Sequence, residues 1–175
     1  MPQGIKLREG DVVMRMGCGL TSHAVVTADR NGQYSHTGIV VDSCGTLMIV
    51  HAVPAEPDFA GDRDRVKLST PEHFFNSIRA VRGAVYRPTD ATIAHRAALS
   101  ALATYRRGTA FDHDYDSTDT TRMYCTELVV HAFSKAGISI AGPPSHQIDL
   151  PGLHTRCWLP SDFHKSRFLK STYTF

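Results

Sequence analysis

Several features that would assign a function directly are missing from this 175-residue sequence. No stretch approaches the roughly 20 apolar residues of a membrane-spanning helix, and no apolar segment follows a basic start as in a signal peptide. The net charge is only +2 and Arg106-Arg107 is the one notable basic pair, so we expect no nucleic-acid partner. The default location is therefore the cytoplasm, with delivery by a dedicated secretion machine left open.

Sequence signatures of metals and phosphates are also missing. Residues 17–19 are too short for a phosphate-binding loop and no lysine follows them, while residues 112–116 lack the glycine-containing pattern of a calcium loop. The cysteines form no C-x-x-C pair, which argues against a zinc ribbon and for free thiols; they are Cys18, Cys44, Cys125 and Cys157. We expect neither a metal nor a cofactor.

The composition is that of an ordinary globular protein, with 42% hydrophobic and 21% charged residues. A chain of this length can bury a substantial core without metal or disulfide support. No linker, repeat or low-complexity tract interrupts it, so we expect residues 1–175 to form a single domain.

The hydrophobic pattern predicts both strands and helices. Two apolar runs at residues 35–41 and 46–52 flank Cys44-Gly45, as expected of an antiparallel hairpin. Helical spacing covers residues 90–107 and 122–136, and a glycine follows each segment. The sequence therefore predicts an α+β fold with an antiparallel sheet and two main helices.

Cys125 stands where a polar loop becomes the second long helix. The positive end of a helix dipole favours the thiolate, which is the nucleophilic form of cysteine. Backbone N–H groups at the same helix start could stabilise an oxyanion. A buried structural cysteine would satisfy the same position, so the pattern alone leaves both interpretations open.

Two of the ten histidines lie at the ends of the predicted hairpin strands. His36 opens the first strand, and imidazole is the usual base for a thiol because it exchanges protons near neutral pH. His51 closes the second strand, and neighbouring strands lie only about 4.8 Å apart. His51 could therefore hydrogen-bond His36 and fix its tautomer, although structural strand-end histidines would show the same pattern.

The motifs around these residues resemble a known family. Residues 34–40 together with residues 124–129 resemble the YiiX/YaeF-like group, which are permuted papain-like enzymes of the NlpC/P60 superfamily. Residues 10–13, 108–115 and 159–162 also look like the opening strand, the loop before the cysteine and the C-terminal segment of that group. The resemblance thus touches most of the chain, in the same order.

The resemblance implies a circularly permuted papain-like (NlpC/P60) fold, in which the histidine strand precedes the cysteine helix. An antiparallel sheet or small open barrel would pack against that helix. Carried over by motif, Cys125 is the nucleophile, His36 the general base and His51 the third polar residue, where many members of the group have glutamate. The candidate substrate-binding or oxyanion residues are Ser35, Asp112, Asp114, Tyr124 and Thr126.

The implied reaction is hydrolysis through a thioester acyl-enzyme by a Cys-His-His site. The favoured substrate is a small peptide-like or cell-wall-derived amide, and Asp112 and Asp114 near the cysteine loop favour one that bears an amine. Two alternatives stay open at this point: a lipid-directed thiol hydrolase or acyltransferase, and a non-catalytic binding module. The amide hypothesis predicts charged groups at the site, and the lipid hypothesis predicts a wide apolar groove. The sequence leaves the oligomeric state open.

Overall fold

The computed structural model describes residues 4–30, 32–150 and 153–175. Its helices are α1 Leu20–Ala28, α2 Pro71–Phe74, α3 Ala91–Arg106 and α4 Cys125–Lys135, followed by a 3-10 helix at Pro160–Lys165. Its strands are β1 Val12–Met16, β2 His36–Ser43, β3 Thr46–Val53, β4 Arg65–Ser69, β5 Arg82–Pro88, β6 Ala110–Phe111, β7 Arg122–Met123, β8 His146–Leu150, β9 Leu153–Cys157 and β10 Leu169–Thr174. No helix in these ranges is long and apolar enough to cross a membrane.

Eight strands form one curved sheet in the order β10-β5-β1-β2-β3-β4-β6-β7, and β8 and β9 form a separate hairpin. The pairings in the large sheet are antiparallel except that of β6 with β7, which is parallel. The segment between β6 and β7 returns the chain to the same end, as a parallel pair requires. The predicted α+β class is confirmed, and the sheet is a mixed half-barrel.

The β2–β3 hairpin forms at the predicted place with the predicted turn, and its strand ends lie within two residues of the predicted ones. Cys44 and Gly45 both have positive φ, 56° and 83°, as a two-residue turn that follows the twist of the strands requires. The Asp42 carboxylate accepts a hydrogen bond from the Gly45 N–H at 2.7 Å. Ile39 pairs with Val50, and this register fixes which side chains of β2 and β3 become neighbours.

The large sheet is covered on both faces. Alternate residues such as Ile39 and Val41 of β2 pack beneath α3 and α4, whereas Val40 faces a second cluster that contains Phe74 and Phe75. The central strands β1, β2 and β3 therefore contain long buried runs instead of an alternation of buried and exposed residues, whereas the edge strand β10 is largely exposed.

Helix α3 matches its prediction, with Asp90 as the N-cap that accepts from the N–H groups of Thr92 and Ile93. Helix α4 begins at Cys125 and not at residue 122, because Arg122 and Met123 pair with β6 as strand β7. The later start places the cysteine in the first turn of α4. Since α4 packs against β2 and β3, this turn lies near the histidine strands.

Candidate active site

Cys125 is the first residue of α4 and follows Tyr124, whose backbone is extended. The half-buried thiol accepts hydrogen bonds from the backbone N–H groups of Thr37, Thr126 and Cys125 itself. Two side chains beside it bind the backbone of Trp158: the Tyr124 hydroxyl accepts from its N–H at 3.0 Å, and the Thr126 hydroxyl donates to its carbonyl at 2.7 Å. The segment after β9 thus fixes the start of the helix.

Burial raises the pKa of the Cys125 thiol, and the hydrogen bonds from Thr37 and Thr126 only partly oppose that change. The position at a helix start predicts the opposite direction. That prediction is wrong for this site because the loss of water around the thiolate outweighs the helix-start effect. The resting cysteine is therefore a protonated thiol that needs a base.

A chain of side-chain hydrogen bonds crosses three strands beside this thiol. His36 Nε2 and His51 Nδ1 are 2.9 Å apart, as the hairpin register led us to expect. His51 Nε2 lies 2.8 Å from Ser69 Oγ on β4. Ser69 was not predicted from the sequence, because the pairing of β4 with β3 cannot be inferred from the short segment that forms β4.

Nε2 of His36 is occupied by His51, so Nδ1 is the nitrogen of His36 that remains for acid–base chemistry. If the proton is on His36 Nε2, it is donated to His51 Nδ1, and His51 Nε2–H then donates to Ser69 Oγ. This arrangement leaves His36 Nδ1 with a lone pair. The reverse order, in which the Ser69 hydroxyl donates to His51 Nε2 and His51 Nδ1–H donates to His36 Nε2, satisfies the same two contacts and leaves His36 Nδ1 with a proton.

Both imidazoles are neutral at rest. Burial lowers the pKa of His36 well below 6.5, and the positive charge of Arg15 and the neighbouring His51 lower it further. Burial and then Arg15 also lower the pKa of His51 well below 6.5. Protonation of either ring would place an unscreened charge in the protein interior.

The close approach of the two histidines depends on Gly38. A Cβ at this position would lie 2.7 Å from the Ile49 side chain, 2.9 Å from the Val50 carbonyl and 3.1 Å from the Cβ of His51. These distances are shorter than side-chain packing allows, so the residue between His36 and the rest of β2 must lack a side chain.

Two cavities meet at His36. The smaller has a volume of about 50 Å³, contains Cys125 and has mostly apolar walls; they include Phe111, Tyr115, Tyr124, Thr126 and Leu159. The larger has a volume of about 360 Å³ and extends on the other side of His36, with walls that include the charged side chains of Arg15, Glu56 and Arg79. Ser35, whose hydroxyl accepts from the Gly17 N–H at 3.0 Å, borders both cavities.

Arg15, Glu56 and Arg79 were not among the sequence candidates. Arg15 is 2% exposed, donates to the Phe74 carbonyl at 3.0 Å and stacks 4.7 Å above the Phe74 ring. Glu56 forms ion pairs with both Arg15 and Arg79. The signal that could have found them was the arginine within the apolar strand Val12–Met16, where a charge requires a partner.

The two predicted aspartates do not reach this site. Asp112 is fully buried, and its carboxylate accepts from the N–H groups of Asp114 and Asp116, so it shapes its own loop. Asp114 is exposed and pairs with Arg122 at 2.8 Å. Neither lines either cavity beside Cys125, because the loop directs its carboxylates to its own N–H groups and to Arg122.

Glu127 follows Cys125 by two residues, about 200° around the helix, so its side chain points away from the thiol. Its Oε2 accepts from the Tyr124 N–H at 3.3 Å, and the side chain is buried. Burial raises the pKa of Glu127 to about 8, and nearby aspartates raise it further. The carboxyl group therefore caps the helix mainly in its neutral form at neutral pH.

The fold and the order of these residues define a class. A half-barrel carries two adjoining histidines, a helix packed on it begins with a half-buried cysteine, and the histidine strand precedes the cysteine helix. This is a permuted papain-like arrangement. Residues 6–145 match the family model described as permuted papain-like amidase enzyme, YaeF/YiiX, C92 family, and the chain belongs to that family. Membership supports a cysteine hydrolase of the amidase or peptidase kind.

A solved structure agrees with this assignment of the fold. The crystal structure of the metalloprotein yiiX from Escherichia coli O157:H7 matches with a TM-score of 0.75 and 17% sequence identity, over 96% of this chain and 97% of that one. At this identity the likeness shows the fold alone. Comparison with curated protein sequences gave no match.

That neighbour is described as a metalloprotein, which raises the question of whether this chain has ligands for a metal ion. Within residues 4–30, 32–150 and 153–175, no three side chains of histidine, cysteine, aspartate or glutamate are grouped so that they could hold one. His36 and His51 instead use facing nitrogens on each other, and His51 uses its second nitrogen on Ser69. The described residues therefore do not fit a metal centre at this site.

Proposed function

We propose that this protein hydrolyses a small peptide-like amide through a thioester on Cys125. The observation that carries the proposal is the hydrogen-bond chain from Ser69 through His51 to His36, which leaves His36 Nδ1 free to act at the cavity that contains Cys125. A neutral imidazole beside a protonated thiol is the arrangement that general-base activation of a nucleophile needs.

In the first step His36 Nδ1 accepts the thiol proton while Sγ of Cys125 bonds to the substrate carbonyl carbon. N–H groups at the start of α4 stabilise the oxyanion that forms. When the oxyanion collapses, the C–N bond breaks and His36 gives its proton to the leaving amine. A water molecule, deprotonated by His36, then attacks the thioester and releases the acid and the free thiol.

His51 and Ser69 act in this proposal by positioning His36 and not by charge. Since His51 is neutral, it holds the His36 ring by accepting from Nε2–H without supplying the negative charge of an aspartate or glutamate. The imidazolium that forms in the first step is consequently short-lived, because burial and Arg15 oppose it.

The shape of the site supports an amide over a lipid. The cavity next to Cys125 is narrow, about 50 Å³, which accommodates a small acyl group and not a long chain. The cavity on the other side of His36 is lined by the charged side chains of Arg15, Glu56 and Arg79. A lipid-directed enzyme would present a wide apolar groove at both positions.

The test is to trap the acyl-enzyme. The protein is incubated with a short N-acetyl peptide p-nitroanilide and with the p-nitrophenyl ester of the same acyl group, quenched in acid and mapped by mass spectrometry. We expect an acyl group on Cys125 and turnover that falls below detection in Cys125→Ala. Turnover should persist as the pH decreases to about 6.5 and be lost only at lower pH, because His36 takes up its proton below that value.

Cys44→Gly is the matched control, since Cys44 is an exposed cysteine in the β2–β3 turn with a positive φ that glycine adopts readily. This variant should keep full turnover. Retained turnover in Cys125→Ala, or an acyl group on Cys18 instead, contradicts the proposal. Absence of any acylation of the folded protein by ester and anilide alike favours a non-catalytic binding module.

A further inference from the structure

The larger cavity has a net positive charge. Glu56 is shared by two guanidinium groups, so Arg15, Arg79 and Glu56 together carry one net positive charge. The adjoining ion pair of Lys67 with Asp62, 2.6 Å apart, cancels itself. The walls of this cavity therefore favour one negative charge in a ligand.

The cluster also has more donors than acceptors. Nε of Arg15 is buried and has no hydrogen-bond partner among the described residues. Arg79 is half-buried and uses Nη1 on Glu56 at 2.5 Å; no other hydrogen bond of its guanidinium occurs within the described part of the chain. Buried or half-buried donors without acceptors are costly, and a guanidinium presents them in the planar fork that matches a carboxylate.

Helix α1 adds to the positive potential in the larger cavity. Its N-cap Gly19 has no side-chain cap and its first turn contains no acidic residue, and both Gly19 and Ser22 line the cavity. The partial positive charge of the helix start thus faces the same space as Arg15 and Arg79. At the rim, Ile78 is 83% exposed, which provides an apolar contact beside the charged groups.

The position of the cavity relates this charge to the reaction. The cavity containing Cys125 and the cavity containing Arg79 share His36, Ser35, Val25 and Pro54 as a common boundary. Because His36 would protonate the departing amine, the part of the substrate that leaves occupies the side of His36 remote from Cys125. That side is the larger, positively charged cavity.

We infer that the leaving amine of the substrate carries a carboxylate, which Arg79, with Arg15 behind it, binds in the larger cavity. The substrate class is then an N-acyl amino acid or a peptide cleaved before its C-terminal residue. A carboxylate neutralises the single net charge of the cluster, whereas a phosphate monoester dianion would exceed it. This inference rests on the proposed function and reverses the sequence expectation of an amine recognised by Asp112 and Asp114.

The test uses binding, so it does not depend on turnover. Three ligands are titrated into the Cys125→Ala variant and followed by NMR: N-acetylalanyl-alanine, its C-terminal carboxamide, and the amide of N-acetylalanine with 2-aminoethyl phosphate. We expect the carboxylate to bind about tenfold or more tightly than the carboxamide, because a hydrogen-bonded charge pair is lost in the latter. Introducing Arg79→Gln into the Cys125→Ala variant should reduce this ratio to near one. Arg96 is an exposed arginine of α3, and introducing Arg96→Gln instead should leave the ratio unchanged.

Equal affinity for acid and carboxamide, undetectable binding of both, or a ratio that survives Arg79→Gln overturns the inference. Tighter binding of the phosphate than of the carboxylate overturns the assignment of the anion. These outcomes are separate from failure of the proposed function, which is seen in the acylation of Cys125 in the otherwise unchanged protein. A protein that acylates Cys125 but shows no acid preference keeps the function and loses this substrate class.

Discussion

The two halves of the candidate site are built in different ways. The cysteine half consists of Tyr124, Cys125, Thr126 and Glu127, which are consecutive residues at the start of α4. The histidine half brings His36, His51 and Ser69 from three strands, with Arg15 from a fourth. The first half is local in sequence, whereas the second exists only when the sheet has formed.

The halves also differ in how they control protonation. On the cysteine side, burial raises the pKa of Cys125 and brings that of Glu127 to about 8, so both groups keep their protons. On the histidine side, burial and Arg15 lower the pKa values of His36 and His51, so both rings give up theirs. One cause, desolvation, therefore leaves the acid protonated and the base free.

The largest effect is expected when the general base of the histidine half is removed. His36→Gln keeps a polar side chain on β2 but removes the group that accepts the thiol proton, so we expect kcat/KM to fall about 10²–10⁴-fold. The remaining turnover should also lose the acid limb of the pH profile that His36 causes. The measurement is kcat/KM against pH for the anilide substrate.

His154→Gln is the control for this variant, because His154 is an exposed histidine that pairs with Asp149. It should reproduce the unaltered profile. A loss of less than tenfold in His36→Gln, or an acid limb that does not change, would show that another group is the base.

A smaller effect is expected at the far end of the hydrogen-bond chain. Ser69→Ala removes the acceptor of His51 Nε2–H, and a hydrogen bond of this kind contributes about 1 kcal/mol, or several-fold in rate. We expect kcat to fall while KM stays the same, because Ser69 positions His51 and borders neither cavity. Ser69→Thr, which retains the hydroxyl, should restore the rate.

Ser171 is an exposed serine of β10, and Ser171→Ala is the control for the effect of a serine-to-alanine change on stability. This variant should leave kcat unchanged. If Ser69→Ala raises KM without lowering kcat, or if Ser69→Thr restores nothing, the positioning role of Ser69 is wrong.

The smallest effect concerns the cysteine half. Because the pKa of Glu127 rises from 4.5 to about 8 on folding, its contribution to stability is complete below 4.5 and is lost as the pH increases to about 8. Glu127→Gln keeps an oxygen for the Tyr124 N–H but has no proton to lose. We therefore expect the variant to gain stability relative to the unaltered protein as the pH is raised from 4.5 to 8.

Urea unfolding at several pH values measures this difference, with Glu72→Gln on the exposed start of α2 as the control. The control should show no such increase. A difference in unfolding free energy that is independent of pH would mean that Glu127 is charged in the folded protein.

The sequence predictions also differ between features that are local in the chain and features that depend on distant residues. The turn at Cys44-Gly45 and the ends of α3 were predicted correctly, since each depends on residues close in the chain. The start of α4 was placed three residues early, because the pairing of β7 with β6 competes with the helix. The hairpin β8–β9 was not predicted, although the dipeptide Pro151-Gly152 between its strands is a turn signal in the sequence.

The assignment of catalytic roles to Cys125, His36 and His51 remains a prediction, although the structure brings the first two to one cavity and joins the two histidines by a hydrogen bond. The candidate residues Ser35, Tyr124 and Thr126 line the cavity that contains Cys125. Ser69 and Arg79 could not be placed beforehand, because strand register and chain path decide which side chains meet, whereas Arg15 was marked in the sequence as the charged residue of an apolar strand.

The sequence by itself determined the elements of this protein and the chemistry within each of them: a cysteine at a helix start, histidines at hairpin ends and an order that resembles permuted papain-like enzymes. Only the tertiary structure decided the directions of the pKa shifts, the hydrogen-bond chain ending at Ser69 and the positive cavity around Arg79. The reason is physical: local propensity acts over a few residues, whereas burial and charge pairing depend on neighbours that are distant in the chain.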